Sequence, residues 1–85
     1  MKKIITNKGF TIYEVGAMET LHLGGYGICD NCNIMAANGY LVPALNYYMC
    51  PNCYNDWYND AEYYEEDRYA EQYYCKYYEN TIPQD

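Results

Sequence analysis

Residues 29–53 read CDNCNIMAANGYLVPALNYYMCPNC, two Cys-x2-Cys pairs separated by 17 residues. Each pair is short enough to curl two sulfurs onto one ion, and 17 residues suffice for a hairpin that returns the second pair to the first. Zinc prefers soft thiolates in a tetrahedron, and four of them leave no open coordination position. The spacing therefore points to a structural zinc ion; an iron centre of the same geometry fits it too. Local disulfides would need an oxidising compartment, and a redox Cys-x2-Cys would need a βαβ context that this sequence lacks. Between the pairs, Asn38-Gly39 separates Ile34-Met35-Ala36 from Tyr40-Leu41-Val42. Asn-Gly predicts a hairpin turn there, because both residues tolerate positive φ. Pro43 then limits the second strand to an edge or a bulge.

The rest of the composition agrees with a metal staple. The chain has 85 residues, few for a self-sufficient apolar core. Its five cysteines are an odd number, which suits metal binding better than a closed disulfide framework. After Lys2-Lys3 the apolar run is only Ile4-Ile5, so no signal peptide is expected. Nor does any segment approach the roughly 20 apolar residues of a membrane span. A reducing cytoplasm is the expected setting. Charge is lopsided: residues 1–53 sum to zero, whereas residues 54–85 carry nine acids against Arg68 and Lys76, the whole net charge of −7. Four thiolates around one zinc would add a further −2. Such a surface repels nucleic-acid phosphate and anionic membrane, so neither is expected as a direct partner.

One domain, 1–85, of the α+β class accommodates these features. Residues 1–26 hold an N-terminal β-hairpin, Lys2–Thr6 and Phe10–Val15 around Asn7-Lys8-Gly9, followed by an extended, glycine-broken connection. Residues 27–53 hold the knuckles and second hairpin. Residues 54–80 read as helical, and 81–85 as a tail. At 100° per residue Tyr54, Trp57, Tyr58, Ala61 and Tyr64 share one face, with Asn52 as the N-cap. Trp57 and Tyr54 are expected to pack under the zinc hairpin against Leu41 and Leu45. From Glu65-Glu66-Asp67 onward a second stripe appears on another side (Tyr69, Ala70, Tyr73, Tyr74, Tyr77). Either one long helix or two, broken near 65–67, would produce this. The second stripe would pack on the N-terminal hairpin or on a second copy.

A knuckle, a hairpin and a helix whose first turn supplies the last ligands resemble the treble-clef zinc finger over roughly residues 27–64. The resemblance rests on CDNC, on Asn38-Gly39 and on CPNC leading into a helix; a plain zinc ribbon shares the spacing but ends in a strand. It implies Cys29, Cys32, Cys50 and Cys53 as the ligands of Zn2+. It does not imply a function, since such fingers serve nucleic-acid binding, protein binding and scaffolding alike. Cys75 reads as a free thiol or packing residue, and His22 as a surface histidine.

Catalysis is not expected. A single histidine leaves few general-base options, and a deaminase would need His-x-Glu before Pro-Cys-x-x-Cys, which His22-Leu23-Gly24 does not supply. The acidic region carries the functional expectation. On a helical wheel Asp56, Asp60, Asp67 and Glu71 gather in one sector with Tyr63, Tyr74 and Tyr78. Carboxylates on a rigid rod with interleaved tyrosines suit a basic groove on a partner protein. In size and acidity the chain is similar to small DNA-mimic inhibitors of the phage anti-restriction and anti-CRISPR type. The alternative is an accessory zinc-finger scaffold or adaptor in a transcription or replication complex.

Overall fold

The computed structural model describes residues 1–83. A four-stranded antiparallel sheet is built from β1 (Lys2–Ile5), β2 (Thr11–Gly16), β3 (Asn38–Val42) and β4 (Tyr47–Met49) in the order β1-β2-β3-β4. Three α-helices accompany it: the short α1 (Ala17–Thr20), α2 (Pro51–Asp60) and α3 (Arg68–Thr81). The α+β class is thus present. The β1–β2 hairpin forms as expected, with Ile4 opposite Ile12 and Gly9 at φ 99° in the turn.

Alternation along the strands sends side chains to both faces, and both faces are covered. Tyr13, Val15, Leu41 and Tyr48 point one way, onto Cys75, Tyr78 and Ile82. Ile12, Val42 and Met49 point the other way, toward Phe10, Cys29 and the apolar side of α2. Phe10, the single phenylalanine, is the pivot of that second layer. The rings of Trp57 and Tyr63 meet it edge-on at 4.9 and 5.2 Å. The expected packing of Trp57 and Tyr54 on Leu41 and Leu45 is therefore corrected. Leu41 faces α3 and Leu45 is exposed, while Tyr54 stacks on Tyr40 at 4.3 Å.

Four local expectations also change. Asn38-Gly39 is not a turn but the start of β3, paired with Val15 and Gly16. Glycine is required there by crowding: a Cβ on Gly39 would lie 2.5 Å from the Met49 carbonyl and 2.8 Å from the Tyr48 ring. The turn comes later, at 43–46. Pro43 occupies the second turn position it favours, Leu45 N–H donates to the Val42 carbonyl at 3.1 Å, and Asn46 supplies the positive φ, 55°. The connection after β2 is not extended but opens with α1 and a 3-10 turn at 21–23. The helical region is two helices, parted by an extended segment at 61–64 just before the acidic 3-10 turn Glu65–Asp67. The region read as a tail is partly structural, since Thr81 closes α3 and Ile82 is buried. Residues 84–85 lie outside the described part.

Candidate metal centre

Cys29, Cys32, Cys50 and Cys53 converge, all four sulfurs lying within 4.8 Å of one another. Cys32 Sγ and Cys50 Sγ are 3.9 Å apart. Four thiolates bonded at about 2.3 Å to one tetrahedral ion would sit roughly 3.8 Å from each other, so the set fits a metal ion with small adjustments. No two of these cysteines are joined as a disulfide. His22 stays on the surface and Cys75 lies in the α3 core, both outside the cluster.

The backbone prepares each pair. In the first knuckle the N–H groups of Asn31 and Cys32 donate to Cys29 Sγ at 3.4 and 3.5 Å, and Asn33 turns the chain with φ 64°. In the second, Cys50 is the N-cap of α2. Its sulfur accepts from Cys53 N–H at 3.5 Å, and Pro51 takes the first helical position, where a missing N–H costs nothing. This corrects Asn52 as the cap, because a thiolate competes well for orphan helix N–H groups.

The electrostatics follow. Burial works against ionising Cys29, but N–H donation from Cys32, Cys50 and Asn31 outweighs it and brings the thiol down to about 6. The Asn31 side chain favours a Cys53 thiolate, yet hydrogen bonding with Cys50, burial and the other two sulfurs push Cys53 up to about 12. One thiolate forms readily and a further one is resisted by its neighbours. A divalent cation removes that resistance.

Asp30, which the spacing argument passed over, places the first knuckle. Its N–H donates to the Tyr48 carbonyl and its carboxylate accepts from Tyr48 N–H, both at 2.8 Å. It thereby pairs with β4 like a fragment of a fifth strand, two residues before Cys50. The signal was the acid inside the C-D-N-C knuckle, a short acceptor at a tight turn.

The residues expected to bind a partner do not form one stripe, because the helix they were projected on is interrupted. Glu71 is 5% exposed and accepts from Thr11 N–H (3.1 Å) and Tyr63 O–H (3.3 Å), joining α3 to β2. Tyr78 is 1% exposed and donates to Asn46 Oδ1 at 2.7 Å. Both are interior groups and are withdrawn from the surface. Tyr63, Asp67 and Tyr74 are half-buried, and only Asp56 and Asp60 of the set are freely exposed. The second stripe divides likewise: Tyr74 leans onto the core, while Tyr69, Tyr73 and Tyr77 face outward.

Among the described residues no helix is long and apolar enough to cross a membrane. Comparison with family models, curated proteins and solved structures returned no match for this chain.

Proposed function

We propose that this chain is a non-enzymatic, zinc-stapled interaction module whose acidic surface occupies a basic, nucleic-acid-binding surface of a partner protein. Zinc is the preferred ion because four thiolates close its tetrahedral shell without redox chemistry. The order of knuckle, β3–β4 hairpin and α2, with Cys50 and Cys53 at the helix start, supports reading residues 27–64 as a treble-clef-like finger. The observation that carries the functional reading is the junction between α2 and α3. Asp56, Asp60, Glu62, Glu65 and Glu66 are all exposed within eleven residues, and only Glu65 has a cationic partner, Arg68 at 3.1 Å. Phe10 and Lys8 pin this junction to the sheet, so its charges are held in a fixed array. An inhibitor of the DNA-mimic kind, as in phage anti-restriction or anti-CRISPR proteins, needs such an array.

The test uses a partner captured from the host and identified by mass spectrometry. Reversing Asp56 with Asp60, or Glu65 with Glu66, to Lys is expected to weaken binding strongly. Rising salt should weaken it too, since exposed charges are screened beyond about 8 Å at physiological ionic strength. The partner should release its nucleic acid on binding. Simultaneous binding of both at undiminished affinity would overturn the mimic reading. The outward row Tyr69, Tyr73 and Tyr77 would then favour an accessory scaffold, whose contacts centre on tyrosine and persist in salt.

A further inference from the structure

A cavity of about 220 Å³ opens between α3 and the β3–β4 hairpin, and phenol rings make up much of its wall. Tyr77 and Tyr78 come from α3, Tyr47 and Tyr48 from β4. The two α3 rings stand 5.9 Å apart and are inclined at 50°, so they form a corner rather than a flat stack. Tyr48 and Tyr78 are buried and their hydroxyls are committed. Tyr48 donates to the Ala36 carbonyl at 2.6 Å, and Tyr78 to Asn46 Oδ1. Tyr47 and Tyr77, 41% and 42% exposed, stand at the mouth with the exposed Asp30. Leu23 and Leu41 add aliphatic wall.

The chemistry of the walls selects the ligand. Aromatic faces attract a cation through the ring quadrupole. Asp30 contributes the one carboxylate, and among the described residues no lysine, arginine or histidine lines the cavity to compete for it. Tyr48 N–H occupies Asp30 Oδ2, which leaves the charge and the second oxygen for a ligand. A bare ammonium or a metal ion needs several acceptors to replace its water, and the committed hydroxyls leave few here. An alkylated ammonium gives up less hydration and brings methyl groups that bury well against rings and leucines. Drug-sized ligands fill about 300 Å³ or more, so this cavity suits a head group rather than a whole molecule of that size.

We propose that this cavity binds an alkylated ammonium group, a trimethylammonium head above all, caged by Tyr47, Tyr48, Tyr77 and Tyr78 with Asp30 as its counter-ion. A free quaternary amine and a methylated lysine side chain both carry that group. The hydrogen bonds of Tyr48 and Tyr78 fix two of the four rings beforehand, so binding orders little that is not already ordered. A few ring contacts half open to water correspond to a Kd on the order of 0.1 to 1 mM. The site shares no residue with the acidic junction of α2 and α3, and the inference does not depend on the mimic reading.

Amide NMR titration of the full chain with zinc supplied tests it, with choline chloride exchanged for sodium chloride at constant ionic strength. Saturable shifts should centre on Leu23, Asp30, Tyr47 and Tyr77. The neutral tert-butyl analogue of choline should bind about tenfold more weakly, since it has the same shape without the charge. Tyr47→Leu and Tyr77→Leu keep apolar bulk but remove a ring face, and each should weaken choline about threefold or more, whereas Tyr69→Leu on the same helix should bind normally. Asp30→Asn keeps an acceptor for Tyr48 N–H and should weaken binding similarly with zinc content unchanged. Should that variant lose zinc, the two Leu variants at exposed positions still decide the matter. Tighter binding of N-acetyl-trimethyllysine amide than of choline would point to a protein side chain as the source, and the reverse to a free amine; either supports the cage. Absence of saturable shifts at tens of millimolar would overturn it. So would equal binding of the neutral analogue, of ammonium or of an arginine amide, or Leu variants that bind choline as the wild type does.

Discussion

Asp30 shows how one short side chain can bring two distant cysteine pairs together. Its hydrogen bonds to Tyr48 hold the first knuckle against the strand that leads into the second. Asp30→Ala should cost about 1.5 kcal/mol, the lower end for a charge-assisted bond because the residue is exposed, and should weaken metal binding in step. Asp30→Asn keeps an acceptor and should recover most of the loss. Competition against a chromophoric chelator measures both variants; equal metal affinity in wild type and Asp30→Ala would refute the assignment. At this scale the sequence was uneven. The convergence of the four cysteines was legible, because two cysteines three apart curl their sulfurs together by local geometry. The roles of Glu71 and Tyr78 were not, because a helical wheel sorts residues by angle and is blind to which side faces a sheet.

Among the elements, α2 is fixed at both ends. Its start carries Cys50 and Cys53 of the candidate metal centre. At its other end Lys8, from the β1–β2 turn, reaches the Tyr58, Asn59 and Ala61 carbonyls and lies 4.7 Å from the centre of the Tyr58 ring. A cation there satisfies orphan carbonyls and suits the negative end of the helix dipole, which Asp60 otherwise aggravates. Lys8→Ala should lower stability by about 1 kcal/mol, with amide exchange accelerated first over residues 57–61. Exchange accelerating uniformly across α2 instead would contradict a local cap. The first hairpin could be read from its glycine loop and alternating strands. The second was misplaced because Gly39 is needed for close approach of Tyr48 and Met49, a tertiary reason that looks in sequence like a turn. The break at 61–64 was only roughly visible, since the polar run that follows it was the more conspicuous feature.

For the whole molecule, a sheet covered on both sides depends on two different supports. α3 covers one face with side chains alone, whereas the other face contains all four clustered cysteines. A metal ion held there would bind these four crowded sulfurs together, and chelation is expected to unfold the chain cooperatively, as for small metal-dependent folds. Calorimetry should show the transition disappear with chelator and return with zinc; a chelated chain that keeps its full transition would disprove the staple. The α3 side sets the pH limits. Burial, then the Glu79 carboxylate, raises the Tyr13 phenol above its usual value of about 10, and burial raises Tyr78 in the same direction. The unfolded chain loses these protons first, so their contribution is complete below about pH 10 and is lost as pH climbs through the raised values. The Tyr13 hydrogen bond, then Lys3, holds Glu79 below the ordinary carboxylate range against the opposing effect of burial. Its contribution is present above about pH 4.5 and fades as pH falls. Phenolate absorbance should therefore complete its rise together with unfolding in alkali. Full ionisation of all phenols in a still-folded chain would show that Tyr13 and Tyr78 are not held as described.

The seat of Trp57 has an optical consequence. It is the only tryptophan among 14 tyrosines, packed on Phe10, with Tyr54 and Tyr58 at 5.9 and 6.1 Å, in the same layer as the ligand cysteines. So many stacked phenols distort far-ultraviolet dichroism, and helix content measured that way will mislead. Light absorbed by the tyrosines will instead pass to one indole and leave as its emission. That emission will be quenched or shifted whenever the ring cluster loosens. An unlabelled sample thus carries its own gauge of how tightly the layer around the four cysteines is packed, and excitation at tyrosine wavelengths will read it out more sharply than excitation of the indole alone.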